Sequence, residues 1–226
     1  MIYLNDLMKT DVFENIKCIV FDCDGVLIDS IEANTAYYNM VKEHFGLPPM
    51  DEKEKAFAHS ATMADAMRHI LPEKHWNEAF DYQKKFDYAR VMPYIKRMEG
   101  VFELIWWLRG AGCQLAINTS RKDTMPMVLE SIDLQDTFFP VITVNEVRKP
   151  KPHPEGMYQI MSTLDLRPEE TVFIGDSIVD CQAARNAGTR IWSYRNEMMD
   201  ADLYIPDYWA LKRGLMRLYE GPVISF

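Results

Sequence analysis

The sequence predicts an α/β fold, in which a doubly wound, mostly parallel sheet core carries an inserted all-helical subdomain. Short β-rich apolar runs bounded by turn residues alternate with segments of helical periodicity. Such alternation implies right-handed crossovers and a sheet that helices cover on both faces. One interval, 32–96, shows helical patterns without a strand signal, and this predicts the insertion.

Buried strands are expected at apolar runs that end in turn residues. These runs are 17–22, 114–118, 140–144, 171–176 and 189–194. Helices with apolar residues three and four positions apart are expected around 101–108, 157–164 and 178–187. In such sheets, ligands bind at the carboxyl ends of the strands where the strand order reverses.

The strand-free interval is predicted to form successive helices. They are expected around 33–45, 61–71 and 76–90, with Gly and Pro between them. The chain therefore divides into a core domain, 1–31 and 97–226, and a helical cap subdomain, 32–96. Because the cap begins just after the first strand, we expect it to lie over the site as a lid.

Composition excludes several function classes. The 25 Lys and Arg against 34 Asp and Glu give a net charge of -9, which disfavours nucleic acid as a partner but not a small anionic ligand. The apolar runs fall short of the roughly 18 residues that span a bilayer, and the N-terminal segment lacks a signal-peptide layout. The four cysteines lack metal-ligand spacing. We expect a cytoplasmic protein without a membrane partner; whether it is a monomer or a homodimer stays open.

The first expected strand ends in a pair of carboxylates, Asp22 and Asp24, followed by Gly25. Side chains two positions apart in an extended segment face the same way, so both carboxylates can reach one reacting group. A surface acidic turn is the alternative interpretation. The second strand ends in Thr119 and Ser120, whose hydroxyls and backbone N–H groups ahead of a helix suit an anion.

Two further segments carry charged residues after expected strands. In the run 149–154, prolines hold Lys149 and Lys151 in a stiff, extended segment, although a solvated basic loop would look the same. Asp176 follows a strand and a glycine, and Asp180 comes one helical turn later. Ser177 and Asp180 also fit a helix capping box.

In this order, each at the carboxyl end of a strand, the four segments resemble the four motifs of the haloacid dehalogenase (HAD) superfamily, which has a Rossmann-like core. The insertion between the first two segments resembles the small helical cap found in phosphoglycolate phosphatases and beta-phosphoglucomutases. The resemblance extends over about 17–211 of the chain. It implies a Mg²⁺-dependent phosphatase that hydrolyses a small organic phosphate monoester through an aspartyl-phosphate.

The resemblance also assigns roles to residues. Asp22 would be the nucleophile and Asp24 the general acid and base. Thr119 and Lys149 would hold the phosphoryl oxygens, with the backbone N–H of Ser120 added. Lys149 is preferred over Lys151 because the first lysine of the KPxP pattern aligns with the catalytic one.

Magnesium prefers oxygen ligands. The resemblance supplies them from Asp22, the backbone carbonyl of Asp24, and Asp176. Asp180 would not bind the metal directly but would orient Lys149 or a metal-bound water.

Other functions stay open. They are a phosphosugar mutase or a pyrophosphatase of the same fold, and a catalytically silent protein that binds a phosphorylated metabolite. Asp24 argues against a dehalogenase, since those relatives lack this second carboxylate. Met63 falls where the mutases carry arginine and the phosphonate hydrolases carry lysine, which disfavours both. Arg68 is then the candidate substrate contact from the cap, and a surface charge beside Asp65 is an equal alternative.

Overall fold

The computed structural model describes residues 2–3 and 10–220. The chain divides into two compact units, one formed by Met1–Ile28 with Arg97–Phe226 and the other by Asp29–Lys96. The sequence places the cap at 32–96, and the second unit begins at Asp29. Among the described residues, no helix combines the length and the apolar character that crossing a membrane requires.

The strands follow the expected apolar runs, with short additional ones. They are β1 (Ile2–Tyr3), β2 (Cys18–Phe21), β3 (Ile28–Asp29), β4 (Lys96–Arg97), β5 (Gln114–Asn118), β6 (Val141–Ile142), β7 (Thr171–Gly175), β8 (Arg190–Tyr194) and β9 (Leu203–Ile205). Seven of them form one sheet in the order β1-β9-β8-β7-β2-β5-β6, and β3 pairs with β4. The recorded pairings within the large sheet are parallel.

The strand order reverses at β2. From this strand the chain builds outward through β5 and β6 on one side, and then through β7, β8 and β9 on the other. The carboxyl end of β2 is therefore the topological switch point, where ligands bind in sheets of this type. The predicted fold class, a doubly wound parallel sheet with helices, is confirmed.

The helices of the described residues are as follows. They are α1 (Ile31–His44), α2 (Glu52–Ser60), α3 (Met63–Ile70), α4 (Trp76–Lys85), α5 (Val101–Gly110), α6 (Met125–Ser131), α7 (Glu155–Leu164), α8 (Ile178–Ala187) and α9 (Tyr208–Glu220). The sequence did not predict α2, which is too polar to show apolar periodicity. Its start is set locally instead, because the Asp51 carboxylate accepts the backbone N–H groups of Lys53 and Glu54.

Two helices cover one face of the sheet. Met157 and Ile160 of α7 and Ala184 of α8 share a buried cluster with strand residues such as Val20 and Phe173. Since side chains alternate along a strand, the neighbouring residues of β2 point to the opposite face. On that side α5 contacts both β5 and α9. The buried sheet therefore holds the carboxyl ends of its strands in fixed positions.

The second unit has a core of its own. Tyr37 and Val41 of α1, Met67 and Ile70 of α3, and Ala79 of α4 are buried together. Lys42 is buried beside them, and its ammonium lies 2.7 Å from the Glu54 carboxylate. The segment 29–96 thus has the buried cluster that an independent helical subdomain needs.

Packing of α7 on the sheet can be tested with a matched pair of methionines. Met157 is fully buried, whereas Met198 is 92% exposed. We expect Met157→Ala to lower the free energy of unfolding by about 2–5 kcal/mol, because it leaves a cavity in the core. Met198→Ala should stay within about 0.5 kcal/mol of the parent. Urea unfolding measures both, and equal losses would contradict the packing described.

Candidate active site

Three neighbouring strands end side by side at the switch point. In β2, Phe21 pairs with Ile117 of β5 and with Ile174 of β7. The backbone N–H of Asp22 then donates to the carbonyl of Ile174 at 2.9 Å. This register brings the residues that follow β2, β5 and β7 to one edge of the sheet, as the sequence predicts.

A buried lysine joins two of the carboxylates. The Nζ atom of Lys151 lies 2.8 Å from Oδ1 of Asp22 and 2.6 Å from Oδ1 of Asp180. The side chains of Lys151 and Asp180 are 4% and 0% exposed, so water screens these contacts weakly. Asp180 also accepts the backbone N–H of Ser177 at 3.1 Å, which holds it at the start of α8.

The expectation that Lys149, and not Lys151, approaches the carboxylates is wrong for this structure. Lys149 is exposed, and its backbone N–H donates to Glu155 at the start of α7. A turn closed by the bond from His153 N–H to Pro150 O then carries Lys151 inward. Both Lys149-Pro-Lys-Pro and Lys151-Pro-His-Pro fit the KPxP pattern, so the second match was the available signal.

Asp22, Asp176 and Asp180 form a carboxylate cluster, with one oxygen from each within 4.8 Å of the others. When all three are ionised, the buried carboxylates of Asp22 and Asp180, the partly buried one of Asp176 and the ammonium of Lys151 leave an excess of two negative charges. A divalent cation would balance this excess, and carboxylate oxygens are the ligands that Mg²⁺ prefers. The residues present therefore fit a magnesium ion.

The environment shifts the acidity of the cluster. Burial, with the charge of Asp180 added, raises the pKa of Asp22 to about 7, although Lys151 opposes the shift. Burial and the charge of Asp180 likewise raise the pKa of Asp176 to about 6. The carboxylates of Asp22 and Asp180 raise the pKa of Lys151 in spite of its burial. Lys151 is thus held as a cation, and the crowded carboxylates favour a further positive charge.

Gly25 allows Asp176 to enter the site. Its φ is +76°, and a Cβ atom built there would lie 2.0 Å from Oδ2 of Asp176. Any side chain at this position would therefore push the Asp176 carboxylate away from the cluster and would also strain the backbone.

Asp24 has a different partner from Asp22. It lies beyond the end of β2, and its two oxygens accept from Nε and Nη2 of Arg121, both at 2.7 Å. Arg121 follows β5, 97 residues later in the chain. The sequence interpretation missed this residue; its place directly after Thr119 and Ser120 was the signal.

The remaining predicted residues lie in two places. Thr119 is buried at the end of β5, where its Oγ1 accepts the backbone N–H of Arg121 at 3.2 Å, and Ser120 beside it is exposed. Arg68 belongs to the unit 29–96, where its guanidinium lies 6.0 Å from the ring centres of Trp76 and Phe80. It also lies 3.6 Å from Asp65, which is the surface-charge arrangement that the sequence left open.

The family model for haloacid dehalogenase-like hydrolases matches residues 19–193, which is most of the chain. The chain belongs to this family. Membership confirms the resemblance and shows that the protein is an enzyme of the hydrolase class.

Individual relatives agree with the family. Pyrophosphatase PpaX of Anoxybacillus flavithermus is 30% identical over 204 residues, covering 88% of this chain and 94% of its own. A HAD-superfamily hydrolase of Geobacter sulfurreducens is 31% identical, with a TM-score of 0.81 over 90% of this chain and 96% of its own. A predicted phosphoglycolate phosphatase of Haemophilus somnus shares the fold, with 21% identity and a TM-score of 0.76, over 91% of this chain and 99% of its own.

The two lysines give a direct test of the site. We expect Lys151→Met to lower kcat by about 10²- to 10³-fold, because it removes the buried cation that stabilises negative charge beside Asp22. Lys149→Met, which removes an exposed ammonium, should leave kcat unchanged. Steady-state kinetics on any hydrolysed phosphate compound measure both, and the opposite ranking would restore the prediction made from the sequence.

Alanine variants at two glycines distinguish the effect of backbone strain from the effect of displacing Asp176. Gly112 has a φ of +79°, like Gly25, but no described atom lies within 4 Å of a Cβ built on it. Both Gly→Ala variants should lose about 1–2 kcal/mol of unfolding free energy from left-handed strain. Only Gly25→Ala should also weaken Mg²⁺ binding, measured by calorimetry. Equal Mg²⁺ affinity in the two variants would contradict this role of Gly25.

Proposed function

We propose that this hydrolase is a metal-dependent phosphatase that cleaves a small phosphorylated compound through an aspartyl-phosphate on Asp22. The observation that carries the proposal is the position of Asp22, at the switch point of the sheet and in contact with a buried ammonium that also binds Asp180. A carboxylate so placed can accept a phosphoryl group, because the cation beside it offsets the charge that two anions bring together.

In the first step, an oxygen of Asp22 attacks phosphorus, and the bond from phosphorus to the leaving oxygen breaks. Asp24 gives a proton to that leaving oxygen. The products are the aspartyl-phosphate and a free alcohol or acid. Protonation by a positioned acid contributes typically about 10²- to 10⁴-fold.

In the second step, Asp24 takes a proton from water, and the water oxygen attacks phosphorus. The bond from phosphorus to Asp22 breaks, which releases inorganic phosphate and restores both carboxyl groups. One difficult displacement is thereby divided into two easier ones.

Lys151, Thr119 and Asp180 support both steps. The ammonium of Lys151 stabilises the ionised form of Asp22 and the charge on the phosphoryl oxygens. Asp180, fully buried, holds that ammonium in place. Thr119 and the backbone of Ser120 supply hydrogen-bond donors to the phosphoryl oxygens from the end of β5. Lys151 therefore takes the role that the sequence assigns to Lys149.

A magnesium ion would be held by Asp22, Asp176 and the backbone carbonyl of Asp24. When bound, it supplies positive charge that favours the approach of a phosphate group to the carboxylates.

Two substrate classes follow from different observations. The motif residues and the small helical unit favour a small phosphate monoester such as phosphoglycolate. The relatives named pyrophosphatase, about 30% identical over most of the chain, favour inorganic pyrophosphate as the second candidate. Both share the same chemistry at Asp22 and differ in the group that leaves.

The experiment is phosphate release from phosphoglycolate, a sugar phosphate, p-nitrophenyl phosphate and pyrophosphate, each with Mg²⁺ and with a chelator. We expect release that depends on Mg²⁺ and a ranking that identifies the substrate class. Failure to release phosphate from every compound in the presence of Mg²⁺ would overturn the proposal.

A matched pair of Asp→Asn variants tests the covalent step. Asp22→Asn should abolish turnover and also the acid-stable phosphoenzyme, detected by mass spectrometry after rapid quenching. Asp165, exposed just after the C-terminal end of α7, provides the control, because Asn tolerates its left-handed backbone. Asp165→Asn should keep both. A phosphoenzyme that persists in Asp22→Asn would exclude Asp22 as the nucleophile.

A further inference from the structure

Arg121 holds the Asp24 carboxylate in one plane. Its Nε and Nη2 atoms each lie 2.7 Å from a separate oxygen of Asp24. Two parallel hydrogen bonds of this kind fix both the distance and the orientation of a carboxylate. The Asp24 side chain is 40% exposed, so the guanidinium, at 15%, is the more buried partner of the pair.

Arg121 is itself held by the fold. Its Nη1 atom donates to Oγ1 of Thr124 at 3.3 Å. Its backbone N–H donates to Oγ1 of Thr119, and its carbonyl accepts from the backbone N–H of Val144 at 3.1 Å. These hydrogen bonds hold the backbone and the guanidinium of Arg121 in place. Arg121 in turn fixes the position of the Asp24 carboxylate.

We propose that Arg121 is a positioning residue, which fixes the Asp24 carboxylate for proton transfer and acts through Asp24 and not through the substrate. The inference rests on the proposed function, in which Asp24 is the acid and base. Each of the three guanidinium nitrogens already has an acceptor within the chain, two on Asp24 and one on Thr124. These guanidinium hydrogen bonds therefore go to Asp24 and to Thr124, which holds Arg121 in place.

The charge distribution agrees with a positioning role for Arg121. Once Asp24 is ionised, Arg121 neutralises it, whereas Asp22 and Asp180 share the ammonium of Lys151 beside a third carboxylate, Asp176. A cation is therefore needed at the carboxylate cluster and not at the side chain of Asp24. Arg121 contributes geometry, and a displacement of about 1 Å in a reacting group can cost about 100-fold in rate.

The positioning of Asp24 by Arg121 can be tested with two substrates whose leaving groups differ in their need for a proton. An alkyl phosphate needs its leaving oxygen protonated, whereas p-nitrophenolate leaves readily without a proton. We expect Arg121→Gln to lower kcat/KM for an alkyl phosphate by about 100-fold, and to lower it far less for p-nitrophenyl phosphate. Arg109→Gln removes an exposed arginine from α5 and should change neither value. Equal losses on both substrates in Arg121→Gln would overturn the proposal.

A double-mutant cycle separates action through Asp24 from direct contact with substrate. If Arg121 acts through Asp24, Arg121→Gln should cause no further loss in an Asp24→Asn background. Losses that multiply would show an independent role and would overturn the proposal.

Two conservative variants keep the test valid if Arg121→Gln fails to fold. Arg121→Lys keeps the charge but not the fork, and Thr124→Val removes the contact to Nη1 with little change of shape. Both should show smaller losses that are again confined to the alkyl phosphate, and equal losses on both substrates would again overturn the proposal. Absence of turnover by the unaltered protein would instead be a failure of the proposed function.

Discussion

The buried ammonium of Lys151 is the constraint on which the rest of the site depends. Two carboxylates from different elements, Asp22 after β2 and Asp180 in α8, share it in a place with little water. Buried charges are stable only when they are paired, so this contact fixes the segment 149–154 against the sheet. Because one cation serves two anions beside a third, Asp176, the site keeps an excess of negative charge that a divalent metal would balance.

The parallel sheet makes this arrangement possible. Residues that are far apart in the chain reach one edge because β2, β5 and β7 are paired in register and end together. Packing of α7 and α8 against one face places Lys151, just before α7, and Asp180, at the start of α8, near the end of β2. The apolar core beneath the site therefore determines its geometry, although none of the core residues takes part in the chemistry.

The two carboxylates of the first motif have separate surroundings. Asp22 is buried against Lys151, whereas Asp24 is partly exposed and paired with Arg121. Nucleophile and proton donor must differ in their environments, since one has to attack phosphorus as an anion while the other exchanges a proton. The strand ends at Phe21, and the chain bends at Cys23, between the two carboxylates.

The sequence by itself determined the class of fold, the five main strands and the segments that contribute Asp22, Asp24, Thr119, Asp176 and Asp180. These features are local, because apolar runs, turn residues and strand-final carboxylates are visible in neighbouring positions. The sequence interpretation missed α2, whose polar face has no apolar period, the last helix α9, and the short strands β1, β3, β4 and β9. Only the tertiary structure decided between Lys149 and Lys151 and revealed Arg121. Both choices depend on contacts across 97–129 residues of chain, which no local pattern contains.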